Sequence, residues 1–190
     1  VLFSKYQMYR AVYWHSRVRS ATAMVKTAVM AALHDGRLEA EDLYGLDDSG
    51  FYALMAAEEK DPERYIRNVF DGKLLSCCWE APWNEGSAAR RKAAHLLTRP
   101  AVERELAEAI ASRRAAAGGG KPRVVVDLPE PLSFEPGMTV VGPGTPFGQS
   151  ATVFRPEVVS SFSGNLRVMR VFTDADPALA APAVAELLGS

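Results

Sequence analysis

The sequence predicts a mainly helical α+β fold, on three observations. Apolar residues recur at helical intervals through most of residues 2–114. A glycine-rich break, Ala115 to Pro122 (AAAGGGKP), then interrupts the chain. Beyond it, short β-branched runs replace the helical period. The expected organisation is a helical body over residues 1–117, a linker over 118–122, and a small β-rich module with a terminal helix over 123–190. At 190 residues the chain fits one domain, or one with a small appendage.

Residues 2–34 read as one long helix. Met8, Val12, Val18, Ala21, Val25, Val29 and Ala32 form its apolar stripe, with His15 in the gap between Val12 and Val18. No Pro or Gly interrupts it, and Gly36 supplies a residue able to close its end. Residues 38–44 can add a short helical turn. Asp47 or Asp48 can cap a helix carrying Phe51, Leu54 and Met55. Asp61-Pro62-Glu63 reads as a helix start, leading through Tyr65, Ile66, Val69 and Phe70 to Gly72. Leu74 to Trp79 is short and apolar, and fits either helix or strand. Ser87 caps a helix through His95 to Leu97. Pro100 opens another with Val102, Leu106 and Ile110. Past the linker, Arg123–Leu128, Met138–Val141, Ala151–Phe154 and Leu166–Phe172 are strand candidates, and a last helix spans about Pro177 to Leu188.

Composition excludes several classes. The chain carries 22 Lys+Arg against 23 Asp+Glu, a net charge of −1, with 48% hydrophobic residues. That is a globular composition, neither disordered nor strongly basic. No run approaches the ~18 apolar residues of a transmembrane helix, and no signal peptide is visible. The two cysteines, Cys77 and Cys78, are adjacent and cannot bridge each other without strain, which favours a reducing, cytoplasmic setting. The charge is blocked along the chain: +5 over residues 1–34, −8 over 35–63, +6 over 64–123 and −4 over 124–190. A basic block can face phosphates, or it can pair with the acidic block beside it. The chain opens at Val1-Leu2-Phe3, inside a helical pattern, as a fragment or processed product would.

Lys5, Tyr9, Tyr13 and Arg17 recur every four residues, which on one helix places them on one face. Lys supplies a point charge for phosphate, and Tyr a ring and a hydroxyl for a base or sugar. A face packed on a neighbour, with the two cations at its wet edge, has the same spacing. His34-Asp35 suggests a metal site, but His15 lies 19 residues away on the same expected helix. At 1.5 Å per residue that is roughly 28 Å, too far to share a cation. His95 has no ligand partner at helical spacing, and Cys77-Cys78 is not a zinc pattern. Gly142 to Gly148 (GPGTPFG) lacks the Lys-Ser/Thr ending of a phosphate loop, and its prolines remove donors such a loop needs. The acidic run Glu39, Glu41, Asp42, Asp47, Asp48 lacks the alternation of a calcium loop.

The stretch Lys5 to Lys26, KYQMYRAVYWHSRVRSATAMVK, resembles the post-catalytic helical region of HD-superfamily phosphohydrolases, the group that includes deoxynucleoside triphosphate triphosphohydrolases. Met8, Tyr9, Val12, Tyr13, His15 and Arg19 match its core. Glu41-Asp42-Leu43, Leu46-Asp47-Asp48 and Phe51 match the family's next segment. Val124 to Pro129, Leu166-Arg167-Val168 and Arg170-Val171-Phe172 resemble the C-terminal, β-containing part of the bacterial branch. The likeness is densest over residues 2–55.

The resemblance implies that the metal-binding His, His-Asp and Asp ligands lie upstream of Val1, so that this chain holds no catalytic or metal-ligating residue and is inert alone. Nucleotide-handling positions fall on Lys5, Tyr9 and Tyr13, with Arg17 next on the stripe. Lys5 stands where Arg is common and Tyr9 where the triphosphohydrolases carry His, which points to a phosphoester of broader, nucleotide-like kind. The intact enzyme would need a divalent metal. Its expected partner is that substrate; self-association is compatible, and nucleic acid and membrane are not expected. Two other readings stay open: a non-catalytic dimerisation or ligand-sensing scaffold, and a compact hydrolase built on His15, His34, Asp35 and a later acid such as Asp71.

Overall fold

The protein is described by a computed structural model covering residues 7–83, 87–114, 120–130 and 167–189, together with residues 4, 139 and 144. Among the described residues the fold is mainly helical, with one small antiparallel sheet. A π turn at Tyr9–Tyr13 precedes helix α1 (Ser16–His34). A 3₁₀ turn at Ala40–Leu43 comes next, then α2 (Asp48–Met55) and α3 (Tyr65–Phe70). Strand β1 (Ser76–Pro82) leads to α4 (Ala88–Ala94) and α5 (Arg99–Arg114). Strands β2 (Val124–Asp127) and β3 (Val168–Thr173) and helix α6 (Pro177–Leu188) complete it. The strand candidates at Met138–Val141 and Ala151–Phe154 lie outside the described residues.

Side-chain oxygens and glycines set the helix ends as their chemistry requires. Asp47 accepts from the Gly50 N–H at 2.7 Å, Ser87 from Arg90 at 3.4 Å and Asp176 from Ala178 at 2.9 Å. Gly36 and Gly72 take φ of +67° and +73°, the left-handed conformation that only glycine adopts freely. Each closes a helix by a Schellman pair: Gly36 and Arg37 N–H groups reach back to Leu33 and Ala32. Two expected helices start later. The first breaks at Trp14-His15, where His15 turns extended and caps α1. Asp61-Pro62 does not open α3, because Arg64 takes φ +58° and delays the start to Tyr65, while Asp61 caps from outside through the Ile66 N–H at 2.7 Å.

The sheet order is β1-β3-β2, with β3 antiparallel to both neighbours. Ser76 pairs with Thr173 and Pro82 with Val168; a register shift between Cys77 and Trp79 leaves Cys78 as the bulge. Because side chains alternate along a strand, both faces of the sheet must be covered. Val125 and Phe172 join Ala23, Met24, Ala28, Ala32, Met55, Tyr65 and Ile66 in one core. Val124, Val126, Met169 and Val171 join Leu106, Ile110, Val184 and Leu188 in the other. The sheet is thus a middle layer between α1–α3 and α4–α6. The helical body supplies β1, and the β-rich module supplies β2 and β3, so strands from both sides of the glycine run share one sheet.

The buried face of α1 is also shifted. Met8, Val12 and Val18 are 49%, 45% and 42% exposed, whereas Ser20, Ala23, Met24, Ala28 and Ala32 are buried. The break at His15 resets the helical phase, and the small residues let α1 approach the sheet closely. Polar contacts fix that approach. Arg19 donates to Asp127 through two bonds of 2.8 and 2.5 Å, with both side chains buried. Ser20 Oγ donates to the Leu75 carbonyl at 2.8 Å just before β1.

The free edge of β2 is covered by α5, whose Glu103 accepts from the Val126 N–H at 2.8 Å. Burial pushes the Glu103 carboxyl up to about 7, against that hydrogen bond and Arg99, which pull it down. On the opposite side, the Arg90 guanidinium lies over the Trp79 ring at 5.3 Å and donates to the Leu188 carbonyl at the end of α6.

Two measurements test this packing. Arg19→Met or Asp127→Leu alone should cost about 3–5 kcal/mol by stranding a buried charge, and the double variant less than the sum. Urea unfolding of the set checks it, and additive losses would show the pair uncoupled. Glu103 gives the second test. Its folded form holds a proton to about pH 7, against an ordinary value of 4.5. Below that ordinary value its contribution is fully present, and it is lost as pH rises toward the folded value. Glu103→Gln should therefore flatten a downward slope in stability between about pH 4.5 and 7, on the order of 2 kcal/mol. Matching urea midpoints for both proteins across that window would refute it.

Candidate functional site

Of the four residues singled out by spacing, Lys5 lies outside the described residues. Tyr9 and Tyr13 begin and end the π turn, whose closing bond runs from the Trp14 N–H to the Tyr9 carbonyl at 2.7 Å. Their ring centroids lie 5.2 Å apart with the planes tilted by 49°. Trp14, buried, meets Tyr9 edge-on at 5.9 Å and anchors the turn. Tyr13 is 51% exposed. The structure therefore brings Tyr9 and Tyr13 together and leaves one ring open to solvent.

Arg17 is separated from them. His15 Nδ1 accepts from the Arg17 N–H at 3.3 Å, which places Arg17 in the first turn of a new helix. The expected single stripe on a continuous helix is broken between Tyr13 and Arg17. Arg19, part of the same sequence pattern, is spent on its buried pair with Asp127.

The other candidates form no metal centre. His34 and Asp35 meet at 3.1 Å on the surface. The Arg37 guanidinium, with His34 beside it, holds the Asp35 carboxyl below its usual range. Helix α1 runs unbroken from Ser16 to His34, so His15 remains a helix length away, and the compact hydrolase has no shared site. Asp71 pairs with Lys73 at 3.2 Å. His95 Nδ1 accepts from the Leu97 N–H within a turn. Among the described residues no three of His, Cys, Asp or Glu gather at one point. This donor set does not fit the divalent cation that the resemblance implies. Both cysteines are free, and burial pushes Cys78 up to about 12 and raises Cys77 as well, so neither is poised as a thiolate.

A concave site that spacing did not reveal lies farther along α1. A cleft of about 320 Å³ opens between the second half of α1, the chain from Lys60 to Tyr65, α5 and the residues leading into β2. Glu103 and the buried Tyr65 line it, with Arg104 and Lys121. Burial raises the Tyr65 phenol above its ordinary range. These residues come from separate elements and share no motif. One signal was legible: Glu103 stands at helical spacing with buried Leu106, Ala107 and Ile110, an acid on an apolar face.

Among the described residues no helix is long and apolar enough to cross a membrane. Residues 1–147 match the family described as the HD associated region, which leaves β3 and α6 beyond the matched stretch. Over 75 residues the chain is 36% identical to an uncharacterized protein of Methanocaldococcus jannaschii, a match that covers 40% of this chain and 16% of that protein. No solved structure matches. With the family's stretch covering most of its length, the chain belongs to the HD-associated regions.

Proposed function

We propose that this chain is the substrate-side portion of an HD-type metal-dependent phosphohydrolase acting on a nucleotide-like phosphoester. The observation that carries the proposal is the paired ring site of Tyr9 and Tyr13, half-open to solvent on a π turn, within the stretch that matches the HD-associated family. π turns recur at functional sites because the extra residue re-aims side chains. In this reading Tyr9 and Tyr13 hold the base or sugar, and Lys5 attracts the phosphates. The divalent cation and its ligands belong to the accompanying HD domain, where the cation would activate water. The setting is cytoplasmic, and the chain alone does not turn over substrate.

One observation favours a second reading. Met8, Val12 and Val18 expose apolar surface, which a dimerising or ligand-sensing scaffold would cover.

The test uses the intact protein that contains both the HD domain and this region. A base–aromatic contact is worth about 1–3 kcal/mol, so Tyr13→Ala should lower kcat/KM by roughly 5- to 200-fold with little change in Tm. Lys5→Ala should cost more with a triphosphate than with a monophosphate. Normal kinetics with a large fall in Tm would make the rings scaffold. A chelator should abolish turnover of the intact protein and leave the far-UV circular dichroism of the 190-residue chain unchanged. Turnover by the 190-residue chain itself, lost in His34→Ala, would overturn the proposal.

A further inference from the structure

The cleft beside α5 is separate from the ring site, and we infer that it binds a small organic monophosphate. Its volume, about 320 Å³, suits a ligand of that size. Its apolar lining comes from Ala28, Ala31 and Ala107, whose short side chains leave room for a ring-sized body.

Two polar groups in its wall lack full satisfaction. Tyr65 is only 6% exposed, yet its hydroxyl has no hydrogen-bond partner among the described residues. A buried phenol O–H is ordinarily bonded. Glu103 gives one carboxyl oxygen to the Val126 N–H, and its second oxygen has no partner among the described residues. An oxygen-rich ligand edge would answer both groups.

The charges that line the cleft favour an anion at its rim. Arg37 and Arg123 are already paired with Asp35 and Asp174. Lys60 donates to a neutral carbonyl, that of Arg37, at 2.7 Å, so its charge is not neutralised there. Arg104 is exposed and has no ion pair among the described residues. Lys121 has only an exposed contact with Glu108 at 3.2 Å, which water screens. Of the acids, Asp61 is committed to the Ile66 N–H and Glu63 lies on the exposed side. A phosphate held by Lys60, Arg104 and Lys121 would take up the unspent cations, while the body of the ligand lies against the alanines and Tyr65.

Isothermal titration of the 190-residue chain carrying Tyr13→Ala, which disables the ring site, tests this with AMP, ribose 5-phosphate, inorganic phosphate and adenosine. At least one organic phosphate should bind saturably below about 10 mM, and adenosine should not. Arg104→Ala should weaken that binding about tenfold and Tyr65→Phe by roughly fivefold. Both variants leave the fold's hydrophobic contacts in place, and unfolding curves verify it. With the ring site disabled, the binding that remains belongs to the cleft, so that either site is able to fail alone. Absence of saturable binding overturns the inference. So does binding that Arg104→Ala and Tyr65→Phe leave intact, or binding of inorganic phosphate with equal strength to the organic phosphates.

Discussion

The structure depends on a three-stranded sheet that must be covered on both faces. Three short strands do not hold together in water without a packed face. Alternation along β2 and β3 sends Val125 and Phe172 one way and Val124, Val126 and Val171 the other, so neither helical layer is dispensable. The first layer has to bring α1 close to the sheet, and its buried Ala, Ser and Met residues permit that. Close approach then buries Arg19 beside the strand. Asp127, at the end of β2, resolves the cost by supplying a bidentate partner. The buried pair is thus a consequence of the layering as much as a contributor to it.

The same layering places both sites on α1. The ring turn hangs from its N-terminal end, anchored by Trp14, and the cleft is lined by its second half at Thr27, Ala28 and Ala31. From Ser16 to Ala31 the helix spans about 22 Å, so a single ligand of nucleotide size cannot occupy both. A rigid, close-packed helix links the two places without any shared side chain.

Most local signals in the sequence carried through, the Asp61-Pro62 helix start excepted. Asp47, Ser87 and Asp176 cap the helices they precede, Gly36 and Gly72 close theirs, and the valine run before Asp127 is a strand. The concealed features were non-local. Nothing near Leu74 says that the next residues pair with a strand beyond residue 167, and without that partner the short apolar run fits helix or strand alike. The continuous apolar period of residues 2–34 hid the break at His15, because His is an uncommon cap and neither Pro nor Gly marks the spot. The break in turn moved the buried face and parted Arg17 from the tyrosines. Tyr9 and Tyr13 were legible as neighbours since four-residue spacing survives a single π turn. Tyr65, Glu103 and Arg104 were not legible as a set, because only the tertiary fold gathers them.

The strand order bears on how the chain is made. The middle strand of the sheet, β3, is the last to be synthesised. Until Thr173 has emerged, β1 and β2 have bare edges on their β3 side, and the two cores lack Phe172 and Val171. The nascent chain therefore passes through a long interval with helices formed and their apolar faces uncovered. The two helical layers therefore settle onto a complete sheet only in one late step.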